Sequence, residues 1–319
     1  MKVVLIGYGS VGRRHVNNLI SLGINEITLL RRKKKGNHHG INEINNIDQI
    51  LEIKPDFVIV SNPTALHYKF LKFLIKSKLN ILCEKPLLNK PSELALLNKL
   101  LRDYNGIARI AFNLRHHPCI VKVKEILNKS LLGKLHSARF FVGQYLPDWK
   151  PKTNHLENYS AKSSLGGGVI LDLVHEIDIA EYLISKPKDK VYSIAPKVSN
   201  VTIDSEDIAE IIYNTSENVV VNIHLDYLYR GYSRNFYIGG SKCNLYCDLF
   251  NNSINIKGEK NQLIESYNFK DFQINDMFID LLNDYINIIR KKNSESILSS
   301  FTENQSVMET CFKIKKNQV

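Results

Sequence analysis

The chain has 319 residues, a formal net charge of +11 at pH 7 and 44% hydrophobic residues. This length can bury a large core and suggests two domains, and the composition is that of a globular protein. No apolar run reaches the roughly 20 residues of a membrane-spanning helix, and the N-terminus lacks a signal-peptide pattern. We therefore expect a cytoplasmic protein with no membrane partner.

The five cysteines are scattered, and the close pair Cys243 and Cys247 has no histidine beside it. We expect reduced thiols and no metal site. The positive charge is spread as lysines over predicted helix faces, without zinc-finger spacing or a recognisable helix-turn-helix. The charge therefore predicts no nucleic-acid partner.

Short apolar strands alternate with helices over residues 1–118. The predicted strands are Val3–Ile6, Glu26–Leu30, Phe57–Val60, Asn80–Cys83 and Ile107–Phe112. The predicted helices are Val11–Leu22, Ile47–Lys54, Ala65–Lys76 and Glu93–Tyr104. Strands that are apolar on both faces and separated by helices predict an α/β domain with a parallel sheet.

A glycine-rich loop follows the first predicted strand and opens the first helix, which is the context of a dinucleotide-binding Rossmann fold. Gly7 would permit the tight turn, Gly9 the approach of the pyrophosphate, and Gly12 close packing of helix on strand. With Ser10 and Val11, these residues are cofactor-binding candidates, since a helix N-terminus attracts phosphate. The alternative is a glycine-rich turn without a ligand.

The second strand ends in Arg31 and Arg32, followed by three lysines, 33–35. NAD-preferring Rossmann folds usually carry an acid there, whereas arginine would bind a 2′-phosphate. We predict NADP(H) as the preferred cofactor, with NAD(H) possible. The alternatives are a solvated basic loop and a nucleic-acid-binding loop.

Two polar stretches, "SNPTALH" and "CEKPL", follow later strands at the carboxyl edge of the predicted sheet, where ligands bind in open α/β folds. The lysine of the second stretch is either a hydrogen-bond donor to a substrate oxygen or a surface lysine. The cofactor-binding candidates here are Ser61, Asn62, Pro63, His67, Glu84 and Lys85.

Residues 119–319 predict an α+β domain with a largely antiparallel sheet. It begins with a helix and a strand, Ile120–Asn128 and Leu135–Gly143, and ends with helices near Asp276–Arg290 and Glu303–Lys315. The strands between Val191 and Tyr267 include Ile208–Tyr213, Val219–Tyr227, Phe236–Ile238 and Asn244–Cys247, with turn signals at Gly239-Gly240 and Asn251-Asn252.

An apolar stretch, "GGGVILDLVHEIDIAEYLIS", predicts one buried helix with polar residues on it. Asp172 and His175 are three residues apart and would share a face. The pair is either a histidine held by a carboxylate and used as acid or base, or a satisfied core histidine.

Four further residues are candidates for contact with a substrate. Arg115 would bind a carboxylate or phosphate, or else form a structural salt bridge. Tyr145, Trp149 and Tyr159 would face a sugar ring, or else pack at the interface between the two domains.

Together these stretches resemble the glucose-fructose oxidoreductase, inositol dehydrogenase and rhizopine-catabolism protein family (Gfo/Idh/MocA). The matching pieces, in order, are "GYGSVGRRH", "SNPTALH", "EKP", "FNLRHHP", "GQYLPDW" and "GGGVILDLVHEIDIAEYL". The resemblance implies a dinucleotide-binding Rossmann domain over 1–118 and, over 119–319, a substrate-binding and oligomerisation domain with an open-faced sheet.

It also implies NAD(P)-dependent hydride transfer to or from a sugar, nucleotide sugar or polyol, with Lys85 and His175 in the active site. A homodimer or homotetramer is implied as well. Many members place the histidine four residues after the aspartate, so the spacing of Asp172 and His175 resembles a subgroup linked to surface-polysaccharide or sialic-acid-like sugars. A non-catalytic NADP(H)-binding sensor on the same fold is the alternative.

Overall fold

The computed structural model describes residues 1–32, 36, 40–149, 159–291 and 295–316. They form two compact units. Unit 1 comprises Met1–Asn113 and Ile274–Gln305, and unit 2 comprises Leu114–Gln273 and Ser306–Val319. No helix among the described residues is long and apolar enough to cross a bilayer.

Both units are built around one sheet each. The strands are β1 (Lys2–Ile6), β2 (Glu26–Leu30), β3 (Asn42–Ile44), β4 (Phe57–Val60), β5 (Ile81–Cys83), β6 (Ala108–Ile110), β7 (Leu135–Gln144), β8 (Val191–Ile194), β9 (Ile208–Asn214), β10 (Val220–Asp226), β11 (Tyr232–Gly240), β12 (Asn244–Asp248), β13 (Ser253–Lys257) and β14 (Leu263–Asn268). The helices are α1 (Ser10–Ser21), α2 (Gln49–Ile53), α3 (His67–Lys76), α4 (Pro91–Leu101), α5 (Pro118–Asn128), α6 (Val169–Asp172), α7 (His175–Leu183), α8 (Asp276–Ile289) and α9 (Asn304–Lys316).

Unit 1 contains a six-stranded sheet of order β3-β2-β1-β4-β5-β6, and every neighbouring pair is parallel. This confirms the predicted α/β architecture. The strand order reverses between β1 and β4, so the loops that leave these two strands diverge and leave a crevice between them. The short strand β3 was not predicted, because three residues carry no readable periodicity.

Residues 274–305 pack with unit 1, whereas the sequence predicts one boundary after Pro118. Leu281 and Tyr285 of α8 are fully buried in the same core as Leu5 of β1. The Tyr285 hydroxyl also donates to the Ile107 carbonyl at 3.1 Å. The two units are therefore discontinuous in sequence, because the apolar face of α8 completes the cover of the first sheet.

Unit 2 contains an eight-stranded sheet of order β14-β13-β12-β11-β7-β10-β9-β8. Only the pair β7–β10 is parallel among the described strands, which confirms the predicted, largely antiparallel sheet. Alternate residues such as Val221, Ile223 and Leu225 of β10 are buried, and α6 and α7 pack on this face. Intervening residues such as Val220 are exposed, so the sheet has one open face.

Two details of unit 2 differ from the prediction. The single predicted helix is two helices, since Leu173 (φ −95°, ψ 26°) leaves helical geometry and α7 starts at His175. Each segment is held by its own buried polar contacts, which periodicity cannot show. Gly239-Gly240 is not a turn but the bulged end of β11, where a Cβ on Gly240 would lie 2.2 Å from the Leu132 carbonyl oxygen.

Candidate active site

The three glycines of the loop after β1 have different surroundings. A Cβ on Gly7, whose φ is +93°, would lie 2.7 Å from the Asn62 amide nitrogen. A Cβ on Gly12 would lie 2.3 Å from the Gly7 carbonyl oxygen. A Cβ on Gly9 would meet no described atom within 4 Å. The packing of the protein therefore accounts for Gly7 and Gly12, whereas Gly9 leaves open space.

Helix α1 begins at that open space. Gly9 is its N-cap, and no described side chain caps the helix. Ser10 and Val11, the first two residues of α1, are exposed. The first-turn amides of a helix have no intrahelical partner and carry positive potential, so this end of α1 suits an anion such as a pyrophosphate.

A cavity of 760 Å³ lies where β1, β2 and β4 end. Its described lining combines apolar, amide and basic side chains. The lining residues are Ile6, Gly7, Tyr8, Leu30, Arg31, Arg32, Asn45, Asn46, Ile47, Asn62, Leu66, Lys69 and Phe70. A cavity of this size at the switch point of a parallel sheet is suited to a small ligand or cofactor.

The two arginines at the tip of β2 are in different environments. Arg31 Nη1 lies 2.8 Å from Oε1 of the buried Glu43 and donates to the Gly36 carbonyl at 3.0 Å. Its guanidinium also lies 5.4 Å from the centre of the Tyr8 ring. Arg32 is exposed on the cavity. Glu43, in the unpredicted strand β3, neutralises Arg31, and Arg32 and Lys69 are exposed cations on the cavity. Lys33, Lys34 and Lys35 lie outside the described residues.

The "SNPTALH" stretch joins two loops at the carboxyl edge of the first sheet. Ser61 Oγ donates to the Gly7 carbonyl at 2.9 Å, which holds the glycine loop. The ring nitrogens of His67 lie 2.9 Å and 3.2 Å from the Asn62 and Leu87 carbonyl oxygens. Burial lowers the pKa of His67, so the neutral ring is favoured. His67 thus links the two loops, and its contact with a cofactor stays a prediction. Pro63 is exposed.

Asn62 is the residue of this stretch with unused polar atoms. Both side-chain amide atoms of Asn62 are buried, and neither has a hydrogen-bond partner among the described residues. Buried polar groups are nearly always paired, and Asn62 lines the 760 Å³ cavity. A bound molecule with donors and acceptors would satisfy this amide.

The "EKP" stretch follows β5, and Lys85 is half-buried there. Glu84 Oε1 lies 2.7 Å from Nε2 of His15, a fully buried residue of α1. The contact ties this stretch to the helix that starts at the glycine loop. His15 was not a sequence candidate. It lies three residues after Gly12, so the two residues share one face of α1.

Two of the three acidic residues of α7 in unit 2, Glu176 and Asp178, form buried ion pairs. Asp178 accepts two hydrogen bonds from Arg115, at 2.9 Å from Nε and 2.6 Å from Nη2. Glu176 Oε1 lies 2.8 Å from Arg234 Nε. Two carboxylates on an apolar helix are stable there because each is neutralised. The geometry supports the structural alternative for Arg115, and its role as a substrate ligand stays a prediction.

His175 is buried as the first residue of α7, and Asp172 is the last residue of α6. The two therefore do not share a continuous helix face as predicted. Asp172 Oδ2 accepts a hydrogen bond from the Tyr227 hydroxyl at 3.0 Å. Tyr227 was not a sequence candidate; it lies just beyond the end of β10, and its ring is fully buried.

The predicted aromatic residues separate in the structure. Trp149 packs edge-on against Tyr227, with ring centres 5.3 Å apart. Tyr145 lies beneath the Arg230 guanidinium, 3.8 Å from the ring centre. The Tyr159 side chain and residues 150–158 lie outside the described part of the chain. Trp149 thus packs against a residue of its own unit, while Tyr145 lines a cleft.

Gly168, the last glycine before α6, packs against the buried side chain of Glu206. A Cβ on Gly168, whose φ is +107°, would lie 2.5 Å from Glu206 Oε1. The Glu206 carboxylate accepts from Lys315 Nζ at 3.0 Å and lies 3.4 Å from the Ile170 amide nitrogen. Because Glu206 sits at the N-terminus of α6, it fixes the segment that leads to Asp172 and His175. Neither Glu206 nor Lys315 was a sequence candidate.

Two family models match the chain. The model described as "Oxidoreductase family, NAD-binding Rossmann fold" matches residues 1–112. The model described as "GFO/IDH/MocA C-terminal domain" matches residues 120–246.

Among curated proteins, levoglucosan dehydrogenase of Pseudarthrobacter phenanthrenivorans is 29% identical over 136 residues, which are 41% of this chain and 34% of the relative. The chain spans about half the length of the curated relatives that it matches. A solved levoglucosan dehydrogenase in complex with NADH has a TM-score of 0.87 at 17% identity, covering 99% of this chain and 96% of that chain. UDP-N-acetylglucosamine 3-dehydrogenase from Acidithiobacillus ferrooxidans has a TM-score of 0.76 at 16% identity, covering 100% and 97%. At these identities the two structures establish the fold.

Proposed function

Because the chain belongs to the Gfo/Idh/MocA family of oxidoreductases, we propose that it transfers a hydride between a nicotinamide cofactor and a CH–OH or ketone carbon of a sugar-like molecule. The observation that carries the proposal is the open space at Gly9, beside an uncapped helix end and a 760 Å³ cavity. The relatives named dehydrogenases of levoglucosan and of myo-inositol support a sugar or polyol as the substrate class.

The residues of unit 1 fit a dinucleotide. Gly9 leaves room for a pyrophosphate, Ser10 and Val11 offer exposed amides, and Asn62 has an amide without a described partner. In this proposal they hold the cofactor, which supplies the hydride chemistry when bound. Gly7 and Gly12 shape the loop.

NADP(H) is proposed as the preferred cofactor, with NAD(H) also usable. Arg32 supports this preference, because its exposed cation on the cavity suits a 2′-phosphate. Arg31 contributes less, because Glu43 already neutralises it. The preference thus depends mainly on Arg32.

Lys85 and His175 are proposed as the catalytic residues, by resemblance to the family motifs that they occupy. His175 would take the hydroxyl proton in oxidation or give it in reduction, and Lys85 would donate a hydrogen bond to the sugar oxygen. Asp172 is proposed as a positioning residue, since its contact with Tyr227 holds the end of α6 just before His175.

A homodimer or homotetramer is proposed on the open face of the second sheet. Large apolar side chains lie exposed there on neighbouring strands. They are Tyr192, Ile194, Ile212, Val220 and Tyr246. A cytoplasmic location is proposed because all five cysteines are free and buried.

The test is a nicotinamide absorbance assay with NADP⁺ or NAD⁺ and a panel of sugars, polyols and nucleotide sugars. His175→Ala should lower turnover about 10²–10⁴-fold, and Lys85→Ala about 10²–10³-fold, while NADPH binding and folding persist. Wild-type turnover by both variants on a competent substrate would favour the alternative, a non-catalytic NADP(H)-binding protein.

A further inference from the structure

A second cleft, of 430 Å³, lies in unit 2 at the ends of β7 and β10. Its described lining is short polar side chains, three apolar residues, a tyrosine and one arginine. The lining residues are Tyr145, Pro147, Ser199, Asn200, Val201, Thr202, Leu228 and Arg230. The described lining thus carries a positive charge and no carboxylate.

Arg230 is exposed and has no ion-pair or hydrogen-bond partner among the described residues. Its guanidinium stacks 3.8 Å from the centre of the Tyr145 ring. A cation–π contact fixes the plane of the guanidinium while leaving its N–H groups available. The side chain is therefore oriented before any ligand arrives.

Two carboxylates beside the cleft, Asp207 and Asp226, accept hydrogen bonds from backbone amides. Asp207 is fully buried and accepts from the Val198 and Ser199 amides at 2.9 Å and 3.0 Å. Asp226 accepts from the Leu228 amide at 2.5 Å on the other wall. These contacts occupy both carboxylates, and neither forms an ion pair with Arg230 among the described residues.

Hydrogen bonds connect the segment that lines the cleft to the residues that precede His175. Strands β7 and β10 are parallel neighbours, so Tyr145 and Tyr227 leave the sheet side by side. The Leu146 amide donates to the Tyr227 carbonyl at 2.9 Å. The Tyr227 hydroxyl in turn holds Asp172, three residues before the proposed proton carrier.

We infer that this cleft binds an anionic substituent of the sugar substrate, a carboxylate or a phosphate, through Arg230 stacked on Tyr145. The inference rests on the proposed function and narrows its substrate class to acidic or phosphorylated sugars. A guanidinium binds either anion with paired N–H···O hydrogen bonds. Asn200 and Thr202 supply further donors at the same cleft.

The experiment is equilibrium binding by calorimetry, with and without NADPH, so that it does not depend on turnover. The probes are glucose, glucuronate, glucose 6-phosphate and UDP-N-acetylglucosamine. The measured quantity is the affinity ratio, the Kd of glucose divided by the Kd of the anionic probe. We expect this ratio to be about ten or more for at least one anionic probe with the wild type. Arg230→Met should lower that ratio by about 10–100-fold, and Arg230→Lys should restore part of it.

Lys190→Met is the matched control, because Lys190 is an exposed cation of unit 2 that does not line the cleft. It should leave the ratio unchanged. The probe with the largest Arg230-dependent loss identifies the anion as carboxylate, monophosphate or diphosphate. A wild type without preference for any anionic probe, or a preference that survives in Arg230→Met, would overturn the inference. A chain that binds anionic probes but oxidises no sugar would refute the proposed function alone.

Discussion

Gly9→Ala should weaken cofactor binding without destabilising the fold. Gly12→Ala should instead destabilise the fold. Gly9 has φ −79° and ψ −163°, which any residue adopts, and a Cβ there meets no described atom within 4 Å. The substitution restricts the unfolded chain and should stabilise the protein by about 0.4–1 kcal/mol. The same methyl group would occupy the space proposed for the pyrophosphate.

The magnitudes separate the two positions. At Gly12 the new Cβ lies 2.3 Å from a backbone oxygen, so α1 must shift by roughly 1 Å. Overpacking against the backbone destabilises the fold by about 3 kcal/mol. The higher helix propensity of alanine offsets about 1 kcal/mol of this, so the net destabilisation is about 2 kcal/mol. At Gly9 a methyl against the cofactor should cost about 1–3 kcal/mol of binding, or about 10–100-fold in Kd.

The assay combines urea unfolding with fluorescence titration of NADPH and NADH for each variant. Gly9→Val should bind still more weakly than Gly9→Ala and remain folded. If both Gly9 variants bound the two cofactors as the wild type does, the dinucleotide would not lie on this loop. If Gly12→Ala were as stable as the wild type, the close approach of α1 to the loop after β1 would not contribute to stability.

Three further predictions concern specificity, pH and packing. Arg32→Ala should lower the preference for NADPH over NADH by about tenfold, and Arg31→Ala by less, because Glu43 neutralises Arg31. Burial raises the pKa of Glu181 from 4.5 to about 7. The Glu181 carboxyl loses its proton near pH 4.5 in the unfolded chain but only near pH 7 in the folded protein. Its contribution to the free energy of unfolding therefore falls as pH rises from 4.5 to 7. Glu181→Gln should therefore stabilise by about 1–3 kcal/mol above pH 7 and by nothing below pH 4.5. Gly168→Ala should destabilise by about 2–4 kcal/mol, because its φ of +107° is strained for alanine.

Paired titrations, urea unfolding across pH and thermal unfolding check these predictions. Equal loss of NADPH preference in both arginine variants would contradict the assigned difference. A stability gain of Glu181→Gln that is the same at pH 4 and pH 8 would mean that its carboxyl titrates normally. Wild-type stability of Gly168→Ala would mean that the adjoining carboxylate moves without cost.

Local patterns in the sequence determined the architecture of each unit. Apolar strands separated by helices predicted the parallel sheet, and successive strands separated by turn signals predicted the antiparallel sheet. The open face of the second sheet was implied by the family resemblance. The glycine loop was predictable as well, since Gly7, Gly9 and Gly12 stand at distances that a strand, a turn and a helix require.

Pairing between distant residues was decided only by the tertiary structure. Arg31 meets Glu43 on an unpredicted three-residue strand, and Arg115 meets Asp178 across 63 positions, so neither arginine has the freedom that its local sequence suggested. Arg230, which no motif indicated, has no ion-pair partner among the described residues, where Asp207 and Asp226 accept from backbone amides instead. Spacing along a chain encodes which face is buried, but a charge is neutralised by whatever the fold brings within a few ångströms of it.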